Sequence, residues 1–300
     1  MRQSGRPLRD LYRVPSVEQA STGRGTGTAG WIAAARARES ARPDRLFDDP
    51  WAHALAGESG WARLRATEQA SGENRFLPVR TRFFDDVIVD AGSWADQLVL
   101  LGAGLDTRAY RLPLPMGMGV YEIDLPDVLI VKESALDAMS ARAVCARHVV
   151  GADLETDWSD ALLAAGFDPR LPTVWLAEGL LFYLGPSAVK GLLRRVCELS
   201  AARTVIALDV FGTGLLRLPE MQISIQRRIA SGRGAPFCTD DPAALLRVCG
   251  WPHCAITEPG QSGANYGRLP QVRDDWTGGT DPALRTYLIV AAGPGTPSST

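Results

Sequence analysis

From Gly92 onward the chain alternates short apolar runs with helical segments, and no other feature limits its fold so tightly. Gln97–Leu101 is apolar and stops at Gly102. Gly119–Asp124, Ala146–Gly151, Thr173–Ala177 and Thr204–Val210 read as further strands. Helices are expected between them, at Pro126 to about Arg142, Ser159–Gly166 and Ser187–Ser200. Two more follow near Leu216–Ala230 and Pro242–Cys249, then strands at His253–Thr257 and Arg285–Ala292. Strands in alternation with helices imply a parallel sheet covered on both faces. Such sheets bind ligands beyond the carboxyl ends of their strands, where the strand order reverses.

The segment before the first strand is different. Residues 29–95 read as a helical cap. Trp31–Glu39 is rich in alanine, Asp49 and Pro50 offer an N-cap and a first-turn proline, and Gly57 offers a stop. Phe83, Phe84, Val87 and Ile88 recur at helical spacing within 81–91. Residues 1–28 end in a Ser/Thr/Gly-rich run and are expected to form a flexible leader, and 294–300 a flexible tail. The expected division is thus leader, cap at 29–95, an α/β domain at 96–293, and tail.

Composition excludes several classes. With 46% hydrophobic and 22% charged residues, the chain is globular in character. Thirty-two basic residues against 34 acidic ones give a net charge of −2, so charge makes no case for nucleic acid or an anionic membrane as partner. Five cysteines without a CxxC argue against a disulfide framework. Cys249, His253 and Cys254 lie close together but lack the spacing and fourth partner of a zinc site, so no metal is expected. The first ten residues carry charge and no apolar core, and no run of 18 apolar residues occurs. A cytoplasmic protein with reduced thiols is the expectation.

Chemistry should concentrate at the strand ends. After the first strand comes Gly102-Ala103-Gly104-Leu105-Asp106-Thr107-Arg108. Two glycines let a ligand approach the backbone. A dinucleotide site would continue to a third glycine, where this chain has Thr107, and Asp106 would repel a phosphate. The ligand expected is a nucleoside without pyrophosphate; the alternative is an ordinary tight turn. Asp124 ends the second strand 22 residues beyond Gly102, the place of a ribose-binding acid, or else it caps the helix at Pro126. Asp153 and Leu154 follow the third strand and suit an adenine amine and ring face; a loop cap is the other reading. Glu178 follows the fourth strand in a strongly apolar stretch, where a carboxylate is either functional or paired with an arginine.

These residues carry a resemblance. The matching segments are Ala34, Arg36-Ala37 and Glu39-Ser40, then Leu46-Phe47-Asp48-Asp49-Pro50 and Arg80-Thr81-Arg82-Phe83-Phe84-Asp85. Leu100 through Arg108, Tyr121 through Pro126, Ala152-Asp153-Leu154 and Ala177-Glu178-Gly179 complete the set. In order and spacing the chain, from about residue 30 to 292, resembles the leucine carboxyl methyltransferase family, in particular its bacterial branch of S-adenosylmethionine-dependent O-methyltransferases. That resemblance implies a class I, Rossmann-like methyltransferase fold: a seven-stranded, mostly parallel sheet under an N-terminal helical cap. It also implies contacts to S-adenosyl-L-methionine. Arg80, with Arg36 nearby, would meet the methionine carboxylate, and Gly102 and Gly104 would line the methionine part. Asp124 would hold the ribose, Asp153 and Leu154 the adenine, and Glu178 would sit near the sulfonium and amino end. Read without the resemblance, Arg80 is equally a partner for Asp85 or Asp86.

The acceptor implied is a small molecule, such as a polyketide or other secondary metabolite, methylated on a carboxyl or hydroxyl oxygen. The apolar positions Leu216, Leu218, Met221, Ile225 and Ile229 would cover it, or else pack on the sheet. His53, His148 and His253 fall in no motif, so no general base is assigned. Methylation of a protein's C-terminal leucine, a nucleotide-linked oxidoreductase and a non-catalytic binding protein are the competing readings. Homo-oligomerisation is left open.

Overall fold

A computed structural model of the chain describes residues 26–217, 219–230, 232, 234–271 and 285–293. The expected leader up to residue 25 and the tail from 294 lie outside the described residues.

Strand β1 (Gln97–Leu101) is buried along its whole length, because both of its faces are covered. Leu98 and Leu100 point into one core, and Val99 and Leu101 into the other. This period of two places every second side chain on the same face. Parallel neighbours flank β1: β2 (Gly119–Asp124) on one side and β4 (Thr173–Ala177) on the other. Leu98 stands opposite both Val120 and Val174. Outside them lie β3 (Ala146–Gly151) and β5 (Val205–Phe211), also parallel. The antiparallel strands β7 (Thr286–Ala292) and β6 (His253–Thr257) finish the sheet, whose order is β3-β2-β1-β4-β5-β7-β6. The fold is therefore α/β with seven strands, four of its six pairings parallel, as the alternation requires.

The connection from β1 leads outward to β2 and β3, whereas β4 and β5 lie on the opposite side. The order reverses between β1 and β4, which marks this pair's carboxyl ends as the crevice.

The cap comprises α1 (Thr26–Ser40), α2 (Ala52–Ser71) and α3 (Phe76–Ala91). Helix α1 begins three residues before the boundary expected at 29. Asp49 caps α2, accepting from the backbone of Trp51 at 3.3 Å and Ala52 at 3.1 Å. Gly57 does break the helix, with φ of 58°, but the chain resumes helical geometry beyond it instead of ending there. Asn74 caps α3 in the same way, its Oδ1 accepting from Phe76 and Leu77. The remaining helices are α4 (Arg108–Arg111), α5 (Pro126–Ala138), α6 (Ser159–Ala164), α7 (Pro186–Glu198), α8 (Pro219–Ala230) and α9 (Pro242–Val248). Among the described residues, no helix is long and apolar enough to cross a membrane.

Candidate active site

A cavity of about 400 Å³ opens at the β1–β4 crevice, within the usual range for small-molecule sites of roughly 300–1,000 Å³. The loop after β1 (Gly102 to Asp106), the loop after β4 (Glu178 to Leu180) and the cap helices α1 and α3 enclose it. Gly102 holds φ of 67°, and a Cβ there would lie 2.9 Å from Leu180 Cδ1, so only glycine fits at this turn.

One half of the wall is an ion-pair network. Arg108 is almost fully buried at the start of α4. Its guanidinium donates to Asp85 Oδ1 at 2.7 Å, to Glu178 Oε2 at 2.7 Å and to Asp106. Arg80 on α3 donates to Glu178 Oε1 at 3.0 Å and Asp209 Oδ2 at 3.2 Å. Arg111 makes a two-pronged contact with Asp85, at 2.6 and 2.8 Å. Arg36 reaches from α1 to Asp49 at 2.8 Å and to the Leu105 carbonyl at 2.5 Å. Four guanidiniums (Arg36, Arg80, Arg108, Arg111) thus meet five carboxylates (Asp49, Asp85, Asp106, Glu178, Asp209). The cluster carries one formal negative charge in excess.

Burial and pairing pull the carboxyl pKa values apart. Burial opposes ionisation of Asp106, but Arg108, with Lys132, Arg111 and Arg36 behind it, brings its pKa down to about 2. Glu178 is lowered for the same reason, burial being outweighed by Arg108 and Arg80. Asp209 goes the other way: burial outweighs Arg80 and the Gly179 amide that donates to it at 2.6 Å. All three contrasts follow from how many cations each acid shares.

The other half of the wall is aromatic. Phe76 and Phe182 each meet the Phe211 ring edge to face, at 6.5 and 5.7 Å. Arg80 bridges the halves, its guanidinium 5.7 Å from the Phe76 ring centre.

Of the sequence-predicted residues, Arg36, Arg80, Gly102, Gly104 and Glu178 line the cavity. Glu178 is a paired carboxylate, held by Arg80 and Arg108, on the wall of the crevice. Arg80 does not pair with Asp85 or Asp86, which are taken by Arg108 and Arg111 and by Arg82.

Asp124, Asp153 and Leu154 are not part of the cavity wall. Asp124 accepts from Gly104 N at 2.6 Å and Leu125 N at 2.7 Å, so it clamps the glycine turn from the neighbouring strand end. The Ala152 amide in turn donates to the Asp124 carbonyl. The three strand ends therefore form one continuous lip, with Asp153 at its far end. Asp153 Oδ1 caps its own loop through Glu155 N at 2.9 Å, and Leu154 packs on the core. These two stand apart because β2 intervenes between β1 and the edge strand β3.

The apolar lining of the cavity differs from the expectation. No described residue of α8 lines the cavity; Ile225 is buried, Ile229 is half exposed, and Leu218 and the side chain of Met221 lie outside the described residues. Phe76, Phe182, Tyr183 and Phe211 line it instead. None of the three histidines lines it either: His148 stacks on Tyr121 and His53 lies against Trp61, while His253 sits on β6. Sequence reading gave no site role to Arg108, Arg111, Asp85 or Asp209. Asp209 carried a usable signal, an acid in an otherwise apolar strand.

Comparison with known proteins agrees with this geometry. The sequence profile of the leucine carboxyl methyltransferase family matches residues 29–197. A relative from Parafrankia sp. (strain EAN1pec) is 45% identical over a stretch spanning 63% of each chain, and one from Saccharopolyspora erythraea is 47% identical over 61% of this chain and 66% of its own length. A Frankia alni relative is 40% identical over 86% of this chain and 94% of its own. All three are provisionally named S-adenosyl-L-methionine-dependent methyltransferases. In fold, the chain is similar to a DUF574 family protein from Streptomyces avermitilis (TM-score 0.52, 13% identity, 87% of this chain and 97% of that one). It is also similar to a provisionally named methyltransferase from Thermobifida fusca (TM-score 0.51, 14% identity, 97% of this chain and 100% of that one). With its helical cap, its glycine turn and Glu178 matched over more than half its length, this chain belongs to the leucine carboxyl methyltransferase family.

Proposed function

We propose that the protein is an S-adenosyl-L-methionine-dependent O-methyltransferase acting on a small metabolite, of polyketide or similar secondary-metabolite type. The observation that carries this reading is the set of groups brought to one crevice: Arg36 and Arg80 for a carboxylate, Glu178 for a cationic end, and the side-chain-free turn at Gly102 and Gly104. S-adenosylmethionine combines a sulfonium, an ammonium and a carboxylate, and bears no phosphate for Asp106 to repel.

The residues fit that ligand. Arg36 Nη1 and Arg80 Nη2 carry no hydrogen bond among the described residues, which leaves each a donor for a carboxylate. Gly102 and Gly104 remove side chains from the floor. Asp124, already oriented by two amides, keeps lone pairs for a ribose diol. When bound, the cofactor supplies an electrophilic methyl group. Its transfer to an acceptor oxygen would exchange the donor's S–C bond for an O–C bond, and an acceptor that is already anionic would leave no proton to place. The chain's part is to hold the two ligands together and exclude solvent.

The test is thermal. S-adenosylhomocysteine at a hundred times its Kd should stabilise the fold by about 2.7 kcal/mol. Absence of any shift would overturn the reading. Labelled cofactor with extracts, followed by mass spectrometry, identifies the acceptor.

A further inference from the structure

We infer that the aromatic half of the cavity is the acceptor subsite, that Asn74 is its polar reading group, and that its ligand is a flat aromatic acceptor whose oxyanion is conjugated with a second oxygen. This inference rests on the methyl-transfer reading and names the substrate class of that same site.

Asn74 carries the argument. As a helix cap it needs only an oxygen, and Asp or Ser would serve equally well. Its Oδ1 takes the Phe76 and Leu77 amides at 3.1 and 3.3 Å. That fixes the amide plane and its orientation, because the cap requires oxygen at that position. The Nδ2 group then carries two protons and no hydrogen bond among the described residues, on a side chain that lines the cavity. A capping Asn is thus a preset donor.

Its surroundings define the partner. Phe76, Phe182 and Phe211 form a connected set of ring edges and faces, which favours stacking with a planar ring. No histidine lines the cavity among the described residues, and its two acids, Asp106 and Glu178, are bound to arginines. An acceptor that ionises without help, as an aryl carboxylic acid or a carbonyl-conjugated phenol does, suits such a lining. In both, charge spreads onto a second oxygen that an amide N–H can bind.

The experiment is ligand-observed NMR with the full chain in saturating S-adenosylhomocysteine. The probes are 1-hydroxy-2-naphthoate and salicylate, against cyclohexanecarboxylate. The aryl probes should bind at least ten times more tightly than the saturated one. Asn74→Asp keeps the capping oxygen and reverses the donor; it should weaken the aryl probes at least tenfold while S-adenosylhomocysteine affinity stays within twofold. Asn74→Ser, which also caps, should behave alike, with an unchanged melting temperature showing that the fold survives. Equal binding of all three probes, no aryl binding, or unchanged aryl binding in both variants overturns the proposal. A parallel loss of S-adenosylhomocysteine affinity would also overturn it, assigning Asn74 to the cofactor. Failure of the wild-type chain to bind S-adenosylhomocysteine would instead refute the methyl-transfer reading itself.

Discussion

The Thr107 hydroxyl donates to Asp49 Oδ2 at 2.7 Å, joining the glycine turn after β1 to the carboxylate that caps α2. Asp49 also accepts from Arg36, so one fully buried acid ties helices α1 and α2 to the floor of the crevice. This accounts for a threonine where a dinucleotide site would have its third glycine. Thr107→Val preserves shape and removes the bond. A stability loss of about 1–3 kcal/mol is expected, from leaving a buried acceptor underpaired. Urea unfolding measures it, and an unchanged midpoint would mean that Arg36 alone satisfies Asp49 Oδ2.

Glu178 holds Arg80 and Arg108 together. Glu178→Gln leaves two buried guanidiniums sharing fewer negative charges. Breaking such a pair should cost about 3–5 kcal/mol, and affinity for S-adenosylhomocysteine should fall with it. Arg108→Met should cost less in this background than in the wild type, through a coupling of roughly 0.5–3 kcal/mol between contacting residues. A double-mutant cycle by chemical denaturation reads this directly; strict additivity would deny the network.

The acid side of the pH profile should carry the signature of Asp106. Its carboxyl titrates near 2 in the folded chain against an ordinary value of 3.8. A depressed acid stabilises the fold above its unfolded pKa and loses that contribution as pH falls through the folded one. The increment, on the order of 2 kcal/mol, should therefore disappear between about pH 4 and pH 2. Asp106→Asn should flatten the stability curve in that window. An identical slope in the variant would show that other acids dominate.

Asp124 and Asp48 provide a matched pair. Asp48 is exposed, whereas Asp124 clamps Gly104 and Leu125. Asp124→Ala should weaken S-adenosylhomocysteine at least tenfold by calorimetry, a change of about 1.4 kcal/mol or more, and Asp48→Ala should leave it near wild type. Equal effects would remove Asp124 from the cofactor's surroundings.

Strand positions were legible because their cause is local. Gln97–Leu101, Gly119–Asp124, Ala146–Gly151 and Thr173–Ala177 are strands where their apolar runs stand. The glycines of the turn and Glu178 were legible as well, since each breaks a pattern at a strand end. Residues whose meaning depends on a distant partner were not. Arg108 reads as one arginine among many until the fold surrounds it with Asp85, Asp106 and Glu178. The sequence left the apolar face from Leu216 to Ile229 open between a ligand and the sheet, because an apolar helix face looks the same in both cases.

By itself, the sequence determined the alternation of strand and helix, the apolar character of β1, the glycine turn and the acids at the strand ends. All of these follow from interactions between residues a few positions apart. Only the tertiary structure decided which charges meet. Arg80 finds Glu178 across 98 positions and Asp209 across 129, because the order of β1, β4 and β5 in the sheet brings their ends under α3. Coulomb attraction in a buried crevice acts over a few ångströms of space and takes no account of separation along the chain.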